Sequence, residues 1–154
     1  MKFKSVLFDL DGTLLDTLGS LVYASNLAME KCGYPLHTRE EVRGFINYGS
    51  VELIRRALPE EVRHNEDEVM RVHGIYFPIL RENATRDCVR YDGLAELCGE
   101  LTESGVKIAV LTNKPDAAAK ACIEKYYPDT HFASVRGMVP GKFVKPERAF
   151  TEDA

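Results

Sequence analysis

The chain has 154 residues, 45% of them hydrophobic, which is enough for a buried core. Its 20 lysines and arginines and 24 aspartates and glutamates give a net charge of −4, so no excess positive charge indicates nucleic-acid binding. No apolar segment reaches the roughly 20 residues of a membrane helix, and no secretion signal is visible. We expect a cytoplasmic protein whose four cysteines (Cys32, Cys88, Cys98 and Cys122) are small buried side chains.

The first predicted element is a buried strand that ends at two carboxylates. A short apolar run within residues 4–10 leads into Asp9 and Asp11, and Gly12 and Thr13 follow directly. Side chains alternate along a strand, so Asp9 can point into a crevice as a nucleophile, and Asp11 can reach the same space from the following turn. This segment predicts an enzyme of phosphoryl transfer, or part of one.

Helical patterns fill the chain from residue 16 to about residue 88. Apolar residues at helical spacing predict a first helix over residues 16–31, a second from residue 39, a third through Ala57 and a longer fourth helix. The expected N-caps of these four helices are Asp16, Thr38, Ser50 and Asn65. A single crossover between parallel strands is much shorter, so residues 16–88 are predicted to form an inserted helical subdomain.

Strands and helices alternate after residue 89, which predicts a parallel α/β layer. A helix over residues 94–103, a strand over 106–111, a helix from Pro115 to about residue 125 and a short strand over 132–135 follow in order. A last helix is expected to begin at Lys145 and Pro146. Residues 1–15 and 89–154 therefore make up the predicted core.

A second candidate segment brings Thr112 and Asn113 to the start of the helix predicted from Pro115. Backbone N–H groups and the helix dipole favour an anion at such an end, and the Thr112 hydroxyl can donate to a phosphoryl oxygen. The same residues are also typical of an ordinary N-cap. Lys145, in a later loop, is the third candidate, because all three groups would lie at the carboxyl side of a parallel sheet, where such folds bind ligands.

This ordered set of motifs resembles the haloacid dehalogenase (HAD) superfamily of phosphatases and phosphomutases, and within it the phosphoglycolate phosphatase group. The segments that carry the resemblance are residues 8–17, residues 41–45 with Gly49 and residues 56–58, and residues 91–94. The resemblance implies an α/β fold, with a Rossmann-like parallel sheet as the core and an inserted α-helical cap that closes over the substrate.

The resemblance also implies roles for individual residues. Asp9 would attack phosphorus to form an aspartyl-phosphate, and Asp11 would protonate the leaving alcohol and then activate water. Asp9 and the backbone carbonyl of Asp11 would bind Mg²⁺, and the residues implied to bind the phosphate are Leu10, Gly12, Thr112, Asn113 and Lys145. The implied reaction is Mg²⁺-dependent hydrolysis of a small phosphorylated metabolite, a phosphomonoester like 2-phosphoglycolate.

One element of the family pattern is missing from this sequence. No Gly-Asp followed a few residues later by another Asp occurs after Lys145. With fewer acids to anchor the metal's waters, we expect weak Mg²⁺ binding and weak or absent turnover. The strand that would pair beside the one carrying Asp9 is missing too, so we expect that strand at the edge of the sheet, where the chain could self-associate, and we interpret the sequence as a truncated form.

Two other functions stay open at this stage. A phosphomutase like β-phosphoglucomutase would return the phosphoryl group to its product, and a catalytically silent fragment would act only through interactions. A phospho-accepting receiver domain also combines Asp, Thr and Lys. It is disfavoured because two carboxylates before Gly-Thr follow the first strand here, and because a receiver has no room for the helical insertion.

Overall fold

The computed structural model describes residues 3–46, 48–139 and 145, and in these residues the chain forms five strands and six helices. In chain order they are β1 (Ser5–Phe8), β2 (Leu15–Asp16), α1 (Leu18–Cys32), α2 (Arg39–Phe45), α3 (Ser50–Ala57), α4 (Glu66–Glu82), β3 (Val89–Arg90), α5 (Leu94–Glu103), β4 (Lys107–Pro115), α6 (Asp116–Tyr126) and β5 (Ser134–Met138). The chain divides into a first unit, Met1–Asp16 with Val89–Ala154, and a second unit, Thr17–Cys88. None of the described helices is long and apolar enough to cross a bilayer.

A parallel three-stranded sheet in the order β1-β4-β5 forms the centre of the first unit. Phe8 of β1 lies opposite Val110 of β4, which confirms the predicted parallel α/β layer. In the part of the chain that the structure describes, β1 pairs with β4 alone, so it lies at the edge of the sheet as expected. Leu7 of this edge strand is 48% exposed.

A short antiparallel ladder, absent from the predicted elements, joins β2 to β3. Leu15 lies opposite Arg90, and Asp16 lies opposite Val89. The prediction that Asp16 caps the first helix is therefore wrong: Asp16 belongs to a strand, and Thr17 stands at the N-cap position of α1. The ladder holds the backbone extended through Asp16, so the helix begins two residues later than the apolar spacing suggested.

The second unit is built from α1 to α4 around its own apolar core. The fully buried members include Ala24, Ala28, Met29, Val42, Ile54, Val69, Val72 and Tyr76. The predicted end of the first helix is confirmed, since Gly33 follows α1 in the left-handed conformation with φ 75°. Four amphipathic helices thus bury their apolar faces against one another within residues 17–88.

Two of the predicted N-caps in this unit are confirmed and one is wrong. Thr38 and Glu41 form the expected capping box of α2, and the Asn65 side chain accepts from the backbone of the first turn of α4. Ser50 is instead the first residue of α3. Its hydroxyl lies 2.9 Å from Nε2 of His73, so a tertiary contact takes the place of the cap.

The strand β4 is longer than predicted. Residues 112–115 continue it rather than opening a helix, and α6 begins at Asp116. Between the pairs Leu111↔Arg136 and Pro115↔Met138, three residues of β4 lie opposite one residue of β5, which makes a bulge. The prediction that Thr112 and Asn113 lie at a helix N-terminus is therefore wrong, because pairing with β5 keeps this segment extended.

The remaining predictions concern the C-terminal part of the chain and the cysteines. The short strand expected over residues 132–135 is found at Ser134–Met138. The helix predicted over residues 94–103 is confirmed as α5. Cys88, Cys98 and Cys122 are buried and Cys32 is partly buried, largely as expected. The helix predicted from Pro146 lies outside the described residues.

Glu68 provides a test of how charge stabilises the second unit. The Arg71 guanidinium and the Tyr34 hydroxyl each lie 2.6 Å from Glu68 Oε1. These hydrogen bonds, the one from Arg71 first, lower the pKa of Glu68 from 4.5 to about 2. A carboxylate with a lowered folded-state pKa stabilises the fold fully above its ordinary pKa, and this contribution is lost as the pH falls toward the folded value.

We therefore expect Glu68→Gln to lower the melting temperature at about pH 6, and the difference from wild type to shrink as the pH falls from about 4.5 toward 2. Thermal unfolding followed by circular dichroism across that range measures this. The control is Glu82→Gln, at the exposed end of the same helix. A Glu68→Gln deficit that does not change with pH would contradict the assignment.

Gly137 allows the bulge between β4 and β5 to be tested. A Cβ atom there would lie 2.5 Å from both the Lys114 carbonyl oxygen and the Asp116 Cα atom. The Gly137 N–H also donates to Asp116 Oδ1 at 3.0 Å. We expect Gly137→Ala to lower the free energy of unfolding by about 1–3 kcal/mol, because backbone atoms must move apart.

Urea unfolding compares this variant with Gly99→Ala. Gly99 lies on α5, and a Cβ atom there meets no atom within 4 Å. The Gly99 variant should keep or slightly raise stability, since alanine favours helices more than glycine does. Equal unfolding midpoints for the two variants would contradict the predicted clash.

Candidate active site

The turn after β1 holds the first carboxylates in place. The Leu10 carbonyl accepts from three successive amides, those of Thr13, Leu14 and Leu15, at 3.0–3.2 Å. Gly12 has φ 77°, a conformation that glycine adopts without strain, and its N–H donates to the Leu15 carbonyl at 2.8 Å. The Leu10 N–H donates to Asp9 Oδ1 at 2.8 Å. The amides of Leu10 and Gly12 therefore shape the turn that presents Asp9 and Asp11.

A buried tyrosine ties this turn to the end of α6. The Tyr127 hydroxyl donates to the Leu14 carbonyl at 2.8 Å. Burial raises the pKa of Tyr127 to about 12, so the phenol stays protonated and keeps donating at neutral pH. The buried Tyr127 side chain thus anchors the turn to the core of the first unit.

Lys145 lies beside the first carboxylate. Its Nζ atom is 2.7 Å from Asp9 Oδ1, and the side chains of Asp9 and Lys145 are 44% and 25% exposed. Asn113 holds the lysine's backbone: Asn113 Oδ1 accepts from the Lys145 N–H at 2.8 Å, and Nδ2 donates to the Lys145 carbonyl at 3.3 Å. The structure thus gives the Asn113 side chain a positioning task that the sequence did not indicate.

The second carboxylate has a different lysine beside it. Lys114 Nζ lies 3.0 Å from Asp11 Oδ1, and the Lys114 side chain is 1% exposed whereas that of Asp11 is 27% exposed. Sequence reasoning assigned no role to Lys114. The available signal was its position between an apolar strand and a helix, because a lysine in such a buried segment needs a charged partner.

Thr112 completes the set of polar groups at this end of the sheet. Its side chain is buried, and its hydroxyl oxygen accepts from the Lys114 N–H at 3.2 Å. As an acceptor in that bond, the hydroxyl keeps its own proton for donation to another oxygen. The carboxyl ends of β1 and β4, together with Lys145, thus present two carboxylates, two ammonium groups and a hydroxyl within one unit.

The oxygen atoms at this end are of the chemical kind that binds Mg²⁺. Within the described ranges no group of three or more His, Cys, Asp or Glu side chains could hold a metal. The Asp9 carboxylate and the Asp11 carbonyl are nevertheless the hard oxygen donors that Mg²⁺ takes, and this ion often binds through one or two carboxylates with the rest of its shell from phosphate and water.

The chain is similar to known proteins. The family model of haloacid dehalogenase-like hydrolases matches residues 6–154. The chain is 31% identical over 138 residues to a phosphoglycolate phosphatase of Vibrio parahaemolyticus, with 87% of this chain and 60% of the relative covered. It is 34% identical over 116 residues to a phosphoglycolate phosphatase of Pseudomonas syringae, with 73% and 42% covered.

The fold agrees with these matches. A crystal structure from Lactobacillus delbrueckii subsp. bulgaricus, provisionally assigned as a phosphoglycolate phosphatase, superposes with a TM-score of 0.88 at 30% identity, covering 99% of this chain and 72% of that one. The chain spans between about two fifths and three fifths of the length of the two curated relatives named above. Because the family model matches nearly the whole chain and the fold is shared, the protein belongs to the haloacid dehalogenase-like hydrolases.

Proposed function

We propose that this chain performs Mg²⁺-dependent hydrolysis of a small phosphomonoester, with 2-phosphoglycolate as the first candidate substrate. The observation that carries the proposal is the placement of Asp9 and Asp11 at the end of β1 with a lysine against each carboxylate. The names of the most similar curated relatives support the choice of substrate. The chain has a net charge of −4, and none of the described helices could span a membrane. Neither feature favours a nucleic acid or a lipid over a small phosphomonoester as the substrate.

The proposed reaction has two steps. Asp9 attacks phosphorus through Oδ2, since Lys145 and the Leu10 N–H hold Oδ1; the bond from phosphorus to the alcohol oxygen breaks, and Asp11 donates a proton to that oxygen. Asp11 then removes a proton from a water molecule, which attacks the aspartyl-phosphate, releases inorganic phosphate and restores the Asp9 carboxylate. Each Asp thus returns to its starting state.

The phosphoryl group is held, in this proposal, by charge and hydrogen bonds at the end of the sheet. Lys145 and the Thr112 hydroxyl contact its oxygens, Asn113 keeps Lys145 in place, and the turn at Leu10 and Gly12 admits the group close to the backbone. When bound by the Asp9 carboxylate and the Asp11 carbonyl, Mg²⁺ supplies charge neutralisation at the phosphoryl oxygens.

The proposal also covers the expected turnover, the role of the helical unit and the cellular compartment. Asp9 and Asp11 are the acids that the described residues supply to the metal, so we expect weak Mg²⁺ binding and low turnover. The helical second unit, Thr17–Cys88, corresponds in this proposal to the cap subdomain predicted over residues 16–88, and residues 1–15 and 89–154 correspond to the core. The four cysteines are present as thiols, which fits a reducing cytoplasm.

The mechanism is tested by replacing the nucleophile. Release of inorganic phosphate from 2-phosphoglycolate should require Mg²⁺ and should fall at least about 10³-fold in Asp9→Asn, because the amide oxygen is a poor nucleophile. Asp129→Asn, at an exposed aspartate of the same unit, is the matched control and should leave the rate unchanged. Activity that survives Asp9→Asn, or transfer of phosphate to a second site on the product, would rule out this mechanism.

We also propose that the chain self-associates through the edge of its sheet at β1. Among the described residues β1 has one neighbouring strand, and its Leu7 and the preceding Phe3 are 48% and 69% exposed. An apolar edge strand with unpaired backbone groups pairs readily with another chain. A second copy of this chain offers the same edge and is the occupant proposed here.

Sedimentation velocity tests this contact. The wild-type chain should form dimers or larger species at micromolar concentration, and Leu7→Lys should shift it toward monomer, because a charged lysine on an edge strand opposes pairing. Leu97→Lys, at a 40% exposed leucine on α5, is the control and should not change the distribution. A monomeric wild type, or equal effects of the two variants, would contradict the proposed interface.

A further inference from the structure

Lys114 is the charged residue that the described part of the chain buries most completely. Its side chain is 1% exposed, and its Nζ atom lies 3.0 Å from Asp11 Oδ1. A buried ammonium is costly unless it is paired, so its position is strongly tied to the carboxylate beside it. The corresponding pair of Lys145 and Asp9 is more open to solvent, with 25% and 44% exposure.

We propose that Lys114 is a positioning residue for Asp11, holding Oδ1 of its carboxyl group so that Oδ2, which carries the proton in the first step, is directed at the leaving-group oxygen. This inference rests on the proposed function and deepens it. Lys114 acts through Asp11 and does not itself touch the substrate. Lys145 and Thr112 take the phosphate, while Lys114 sets the direction of the acid that serves the alcohol.

The backbone on the lysine side allows little freedom. The bulge places residues 112–114 against Gly137, where the Lys114 carbonyl would lie 2.5 Å from an added Cβ atom. The Lys114 N–H donates to the Thr112 hydroxyl oxygen at 3.2 Å. The pairing of β4 with β5 therefore restricts the backbone of Lys114. With that backbone restricted, the ammonium group has few alternative positions.

The backbone on the aspartate side is held as well. Asp11 forms an isolated bridge with Leu15, and the neighbouring Gly12 donates to the Leu15 carbonyl. With the main chain of Asp11 fixed, its remaining freedom is rotation about χ1 and χ2. The Lys114 ammonium lies against one carboxylate oxygen, so it selects one of the staggered orientations. A pair with one fully buried partner is also screened less by solvent than an exposed pair.

The orientation of Asp11 can be measured without any enzymatic activity. Three-bond couplings from the backbone nitrogen and carbonyl carbon to Asp11 Cγ report its χ1 angle in isotope-labelled protein. We expect one rotamer in the wild-type chain, averaging among rotamers in Lys114→Met, and return to one rotamer in Lys114→Arg, which restores the charge. Lys120→Met is the matched control: Lys120 lies 2.7 Å from Asp116 in the same unit but is 60% exposed.

A second measurement does not depend on a variant that folds. Nuclear Overhauser effects between the Lys114 Hε and Asp11 Hβ protons of the wild-type chain should be observed if the pair persists in solution. Their absence, an averaged Asp11 χ1 in the wild type, or a single unchanged rotamer in Lys114→Met would each overturn the proposal. These results decide the inference even if the wild-type chain releases no phosphate, in which case the proposed function alone has failed.

Kinetics separate positioning from a general structural role. An alkyl phosphomonoester such as 2-phosphoglycolate needs a proton on its leaving oxygen, whereas p-nitrophenol is a good leaving group without one. We expect Lys114→Met to lower kcat/KM about 10²-fold for the alkyl ester, mainly through kcat, and less than about 10-fold for p-nitrophenyl phosphate. Lys114→Arg should recover most of the loss. Equal losses on the two substrates would overturn the proposal.

Discussion

The parallel pairing of β1 with β4 is the constraint on which the rest of the site depends. Phe8 and Val110 lie opposite each other, so the residues that follow them lie at the same carboxyl end of the sheet. This brings Asp11 and Lys114, which are 103 positions apart in the chain, within 3.0 Å of each other. If the two strands shifted by one residue, every side chain would change face and these contacts would be lost.

Thr112, Asn113 and Lys114 lie in the bulge at the end of β4. Thr112 and Lys114 are both buried, the Thr112 hydroxyl accepts from the Lys114 N–H, and the Asn113 side chain binds the backbone of Lys145. A chain with a net charge of −4 thereby brings two lysine ammonium groups to a single small region, where they can offset both its own carboxylates and a bound anion.

Local sequence rules succeeded where backbone hydrogen bonds close within a few residues. The capping box of Thr38 and Glu41, the Asn65 cap and the Gly33 ending of α1 all follow from short-range chemistry. The same rules failed at Asp16, at Ser50 and at Thr112, and in each case a partner distant in the chain engages the segment: β3, His73 and β5. A propensity is a small free-energy preference, and one ladder or one buried hydrogen bond outweighs it.

The class of fold, the helical insertion and the two candidate carboxylates could be predicted from the sequence, because they depend on periodicity and on a motif contained in a few adjacent residues. The contacts of Asn113 with Lys145 and of Lys114 with Asp11 became visible in the folded chain alone. Those contacts follow from strand register and from a bulge, which are set by pairing between distant segments. The sequence shows which charged residues the chain carries. Which of them form ion pairs depends on the fold, because the partners are distant in the chain.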